Sequence, residues 1–203
     1  MAVNREVSHT SRRTQAERSA ATRGALLAAA RRLFAEKGYL ATGREEIVEA
    51  AGVTRGAMYH HFSGKEDLFR AVYEELQHEV LATISAAAVK FTDPLEQLVV
   101  GSQAYLDAVM DPAVQRVILL DGPSVLDWTT REEIAETCGM GLIREVLRHA
   151  MDAGRIEKRP VEPLAHVLMA GLHEAALYMA RSGKPRVARR EVGEVMRRML
   201  EAL

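Results

Sequence analysis

Residues 44–62 read REEIVEAAGVTRGAMYHHF. Two short helical segments, REEIVEAA and RGAMYHHF, meet here through AAGVT. Gly52 is placed to supply the positive φ of a tight turn, and Thr54 to cap the second segment. Upstream, Thr42 with Glu45 three residues on has the pattern of a capping box for the first segment. Isolated helices shorter than about 12 residues are marginal in water, so packing must hold both. Ile47, Val48, Val53, Met58 and Phe62 are the apolar side chains available for it. Two helices joined by a short glycine-containing turn have the spacing of a helix-turn-helix, whose second helix enters the DNA major groove.

Outward from this stretch the chain reads as helix after helix. Ala25, Leu26, Ala29, Leu33 and Phe34 recur at helical spacing and predict a helix from about Thr14 to Lys37, ended by Gly38. Ser63 with Glu66 has the second capping-box pattern, opening a long helix through Leu68, Val72, Leu76, Val80 and Ile84. Asp93-Pro94 and Asp111-Pro112 open the next two. After a break at DGPSVLDW (121–128), Thr129 and Thr130 with Glu132 and Glu133 start a helix lasting to Gly154. The connector RIEKRPVEP leads to two final helices, Leu164 to Arg181 and Val187 to Leu203. The expectation is nine helices and no strand: an all-α chain with an arm at 1–12, a helix-turn-helix domain at 13–63 and a helical domain at 64–203.

Composition agrees, with 48% apolar and 27% charged residues, few aromatics and many Ala, Leu, Glu and Arg. One cysteine, Cys138, excludes an internal disulfide or a multi-cysteine metal site within one chain. Neither an apolar signal segment nor a stretch of about 18 apolar residues occurs, so a soluble, cytoplasmic protein is expected, without membrane association. Net charge is −1 but unevenly spread: residues 1–70 carry 12 Lys or Arg against 8 Asp or Glu, and the remainder 15 against 20. A basic front suits contact with phosphate.

The longer stretch LLAAARRLFAEKGYLATGREEIVEAAGVTRGAMYHHFSGKEDLFRAV, residues 26–72, resembles the DNA-binding domain of the tetracycline repressor (TetR) family. The remaining helices match that family in number and length, without a diagnostic motif. The resemblance implies a homodimer held by the last two helices, a palindromic operator in double-stranded DNA, and a pocket for a small-molecule effector in the rear domain. It places the DNA contacts on Thr42, Thr54, Arg55, Gly56, Ala57, Tyr59, His60 and Lys65. Chemistry supports each of them. Arg55 has the fork that pairs with guanine O6 and N7, and Gly56 and Ala57 allow close approach to base edges. Tyr59, His60, Lys65 and Thr42 can donate to phosphates. Gly43 stands where the family often has Ser or Thr, and Arg44 offers a substitute contact.

Each assignment has a competing structural reading. Tyr59 also suits a core position with a satisfied hydroxyl, and Thr42 and Thr54 suit plain caps. Glu45 is open between capping and accepting from a cytosine amine. His60 and His61 point about 100° apart on a helix, so they neither converge on one metal ion nor both face DNA. The arginines of the arm, Arg5, Arg12, Arg13 and Arg18, suit either a minor groove or a solvated tail.

In the rear domain, polar groups intrude on inward faces. Ser102, Tyr105, Trp128, Cys138, Met140, His173 and Tyr178 are the pocket candidates, with half-buried edge positions as the alternative. No catalytic constellation, cofactor motif or metal-ligand set appears. The reading is a ligand-released transcriptional repressor, not an enzyme; the alternative is a DNA-binding dimer without inducer, or an activator, whose rear domain serves dimerisation or a protein partner.

Overall fold

The computed structural model describes residues 14–203, so the arm expected at 1–12, with Arg5 and Arg12, and the adjoining Arg13 lie outside the described residues. Among those residues there are nine continuous helical stretches and no strand. They are α1 (Gln15–Ala41), α2 (Arg44–Ala50), α3 (Arg55–His61), α4 (Lys65–Ala88) and α5 (Pro94–Ala108), followed by α6, a π-helical stretch Val114–Asp121 running into Gly122–Val125. Then come α7, which runs Trp128–Ala135, π-helical Glu136–Met140 and Gly141–Asp152, then α8 (Val161–Arg181) and α9 (Pro185–Glu201).

The α2–α3 turn forms as its glycine predicts. Gly52 takes φ +65°, its N–H donates to Glu49 O (3.0 Å), and the Val53 N–H reaches back to Val48 O (3.2 Å). These two bonds close the helix end in a Schellman motif. Thr54 caps α3, accepting from the Ala57 N–H at 3.2 Å. Ile47, Met58 and Phe62 are buried with Leu26, Leu33 and Phe34 of α1, which is what keeps two seven-residue helices folded.

Two expected caps are corrected. Thr42 does not cap α2. It is buried, its hydroxyl directed to the α1 carbonyls of Gly38 (2.8 Å) and Leu33 (3.2 Å), and Gly43 takes the N-cap position without a side-chain bond. A chain leaving α1 needed a partner for those carbonyls more than α2 needed a cap. At α4, Asp67 rather than Glu66 reaches back to the Ser63 N–H (2.9 Å), and Gly64, not Ser63, takes the N-cap position.

Helix α4 is the spine of the molecule. Phe69 packs edge-on to Phe34 (5.2 Å) and Tyr39 (5.1 Å) of α1, while the far half of α4 lies along α5. In the rear, α5 is flanked by α7, α8 and α9. Gln103 of α5 donates to Gly193 O at 2.9 Å, and Arg189 of α9 donates to Asp107 of α5 at 2.8 Å. The break expected at 121–128 is shorter than its Gly-Pro pair suggested. Gly122–Val125 continues α6, with the proline at the start of a turn where its missing N–H costs nothing, and Asp127, not Thr129 or Thr130, caps α7 by accepting from the Thr130 N–H (2.7 Å).

The seam between front and rear lies at the end of α1. Gly38 sits at φ +79°, ψ 168°, breaking the helical path as its sequence position predicted. A side chain there would fall on the Arg116 guanidinium of α6. The break frees the Tyr39 N–H, which donates to Asp121 Oδ2 of α6 (2.7 Å), the same oxygen that accepts from Arg116 Nε (3.3 Å). From the other side Lys65 donates to the carbonyls of Tyr39 (2.9 Å) and Thr42 (3.0 Å), its ammonium 4.1 Å above the Tyr39 ring.

Candidate nucleic-acid interface and internal cavity

Helix α3 carries its apolar side, Met58 with Phe62 following, inward. Arg55, Gly56, Tyr59 and His60 are exposed, with Ala57 half-buried beside them. Tyr59 is 41% exposed and so is not a core residue. Its hydroxyl accepts from Arg44 Nη1 at 2.9 Å, which brings Arg44 of α2 onto the α3 face. The Arg55 guanidinium lies 5.7 Å from the Tyr59 ring centre and 3.6 Å from Glu45 Oε1. Glu45 thus lies within ion-pair distance of Arg55, and no side-chain hydrogen bond from it caps α2. With no acidic residue on α3, the face formed by Arg44, Arg55, Tyr59 and His60 is a set of donors.

Other predicted contacts are placed differently. Thr42 is 1% exposed with its hydroxyl already engaged, and is withdrawn from the phosphate-binding set. Lys65 is half-buried and gives two of its three donors to the carbonyls of Tyr39 and Thr42 at the end of α1; burial, with Arg44 nearby, holds its pKa below the usual lysine value. Thr54 is exposed, its oxygen serving the α3 cap. His61 is half-buried, its ring edge-on to His60 at 5.2 Å. Among the described residues no group of three metal-ligating side chains occurs, and no helix is long and apolar enough to cross a membrane.

The rear helices enclose a cavity of about 410 Å³, large enough for a small organic molecule. Ser102, Tyr105, Trp128, Cys138, Met140 and His173 line it. Tyr178 does not: it is 56% exposed on the outer face of α8, because the inward stripe of that helix is Leu168, Leu172 and Met179, one position round. Both π-helical stretches contribute wall residues, Ile118 from one and Cys138, Gly139 and Met140 from the other. Sequence reasoning missed Tyr73, Gln77 and Arg131. Tyr73 and Gln77 stand one turn apart on α4, with the Gln77 amide donating to the Tyr73 hydroxyl (3.1 Å). Two polar groups on the inward stripe of a helix read only as an apolar spine were the available signal.

Burial pushes the phenols of Tyr73 and Tyr105 up from their ordinary value, Gln77 opposing at Tyr73. For His173 burial lowers the imidazole pKa below 6.5; Glu174 opposes, and Arg131 adds to the lowering. A folded-state pKa below the unfolded one means that the unfolded chain binds more protons in the window under pH 6.5. His173 thus lowers stability as the pH falls through that window. Thermal melts of wild type between about pH 7.5 and 5 should show a loss that His173→Gln reduces; an identical pH dependence in the variant would show the imidazole to be indifferent to the fold.

Comparisons with known proteins agree with this architecture. The family described as "Bacterial regulatory proteins, tetR family" matches residues 26–72, and "Tetracyclin repressor-like, C-terminal domain" matches 95–203. The HTH-type transcriptional regulator CymR of Pseudomonas putida is 34% identical over 130 residues, 62% of this chain and 62% of its own length. The chain therefore spans about three-fifths of that relative. The transposon Tn10 TetC protein of Escherichia coli is 26% identical over 164 residues, 81% of this chain and 83% of its own. A TetR-family regulator from Pectobacterium atrosepticum superposes with a TM-score of 0.77 at 27% identity, covering 93% of this chain and 96% of that one. With a C-terminal family match across more than half of the sequence, added to the helix-turn-helix match in front of it, this chain belongs to the tetracycline-repressor family of bacterial transcriptional regulators.

Proposed function

We propose that the protein is a homodimeric repressor that binds a palindromic operator through α3 and leaves it when a small molecule fills the rear cavity. The exposed donor face of α3 carries this reading. Arg55 and Arg44 stand free of the core, Gly56 and Ala57 keep the helix surface low between them, and Thr54 exposes the helix start. Arg55 addresses guanine, and Arg44, Tyr59 and His60 address phosphates, with the third donor of Lys65 available beside them.

The dimer is supported by apolar side chains left outside on the last two helices. Val167 and Tyr178 on α8, and Val187, Val195 and Met199 on α9, are 38–65% exposed, apolar surface that a partner subunit would cover. Two such helices from each subunit make a four-helix interface with twofold symmetry, matching two half-sites about 34 Å apart.

Release follows from the seam. The α1 end is bonded both to α6, whose Ile118 lines the cavity, and to the start of α4, whose Tyr73 does. A ligand that moves these walls acts on the helices that present α3, and by linkage operator DNA weakens the ligand by the same factor. Selection from a random duplex library followed by fluorescence anisotropy tests the reading. Expected are enrichment of an inverted repeat, affinity of order 10⁻⁸ M or tighter at physiological salt, and loss of binding when the cavity is occupied. If no sequence is enriched, the operator reading fails. If a compound seen by calorimetry to bind leaves the operator complex intact, the release mechanism fails.

A further inference from the structure

The cavity has one cationic corner. Arg131 of α7 lines it half-buried, with Nε donating to Leu126 O at 3.3 Å and the guanidinium over the Trp128 ring at 5.5 Å. Among the described residues no carboxylate lies within ion-pair distance of it, whereas Arg144, further along the same helix, is held by both Glu136 and Glu162. Tyr73 and His173, whose pKa values the Arg131 charge lowers, line the same cavity. Tyr105 also lines the cavity, and no hydrogen bond to its hydroxyl occurs among the described residues. Glu132 and His166 also border the cavity but are solvent-exposed at its rim. The remaining wall is mainly apolar, with Gln77, Gln97 and Ser102 as its other polar side chains.

An unpaired guanidinium at the edge of an apolar cavity loses hydration without gaining an anion, a cost that a bound anion removes. Its planar fork fits a carboxylate through two parallel bonds, and the Tyr105 hydroxyl adds a third donor. Resting on the ligand-responsive reading above, we infer that the effector is a hydrophobic monocarboxylate, with its apolar body in the cavity and its carboxylate against Arg131 and Tyr105.

Matched compounds test this by titration calorimetry on the full chain at about pH 7.5: octanoate and 4-phenylbutyrate, each against its methyl ester and the corresponding primary alcohol. The acids should bind at least about tenfold more tightly than the neutral partners, because a charge-assisted bidentate pair is lost in the latter. Arg131→Gln should bring each acid down to the level of its ester and leave the ester unchanged. Tyr105→Phe, which keeps the ring and should fold whether or not Arg131→Gln does, should weaken the acids severalfold and spare the esters. Esters or alcohols binding as well as the acids, or none of the compounds binding, would overturn the inference. Operator anisotropy separates it from the broader reading. Release by neutral compounds alone sinks the carboxylate and keeps the ligand-responsive repressor; tight acid binding without release does the reverse.

Discussion

Phe69→Ala is expected to destabilise the protein by about 3–5 kcal/mol, the usual cost of removing a fully buried aromatic ring. The site has little freedom to collapse. Phe69 is fully buried between Phe34 and Tyr39, both on α1, and stands on α4, so the lost ring unfastens two helices that frame the helix-turn-helix. Denaturant melts should show a lower midpoint, and operator binding should fall because α3 is no longer held against α1. A variant as stable as wild type would mean that α1 repacks on α4 without the ring.

Arg55→Ala should show the opposite pattern. Arg55 is exposed, and its contacts, an ion pair with exposed Glu45 and the ring of exposed Tyr59, are at the surface, so the melt should be unchanged within error. Operator affinity should fall roughly ten- to a hundredfold, with relaxed preference at one base pair of each half-site, as expected when a bidentate guanine contact is removed. Tyr59 also loses its neighbouring guanidinium, but its hydroxyl stays bonded to Arg44, so the α3 surface keeps its shape. Unchanged affinity and sequence preference in the variant would take α3 out of base recognition. Paired with Phe69→Ala, the variant separates loss of binding through chemistry from loss through folding.

How far the sequence could be read depended on the range of the interactions that decide each feature. Local patterns were dependable where nothing distant competed. Gly52 and Thr54 built the turn and cap that their types imply, and Asp93-Pro94 opened α5, with the Asp93 side chain accepting from the Leu95 N–H. They failed where a tertiary partner outbid the local one. Thr42 has a capping-box neighbour in Glu45, yet its hydroxyl serves α1, and Glu45 turns to Arg55. In the rear domain most cavity candidates were legible as polar residues on inward faces. Tyr178 misled because a helix with apolar residues on adjoining stripes does not declare which one faces in. Arg131 went unnoticed because an arginine two residues from a helix start reads as solvated, and only the fold reveals that its carboxylate partners are missing.

The seam at Gly38 also bears on where the molecule can be cut. A fragment ending at residue 63 would contain Arg44, Arg55, Tyr59 and His60, yet it would lack Phe69, Lys65 and Asp121. Its aromatic cluster would be open on one side, the Tyr39 and Thr42 carbonyls would lose their ammonium, and the Tyr39 N–H would lose its only carboxylate. The helix-turn-helix is thus a recognition unit without being a folding unit. Grafting α2 and α3 onto another scaffold would require rebuilding the first two turns of α4 and an acceptor for Tyr39, and swapping rear domains among relatives would succeed only where a residue equivalent to Asp121 comes with them.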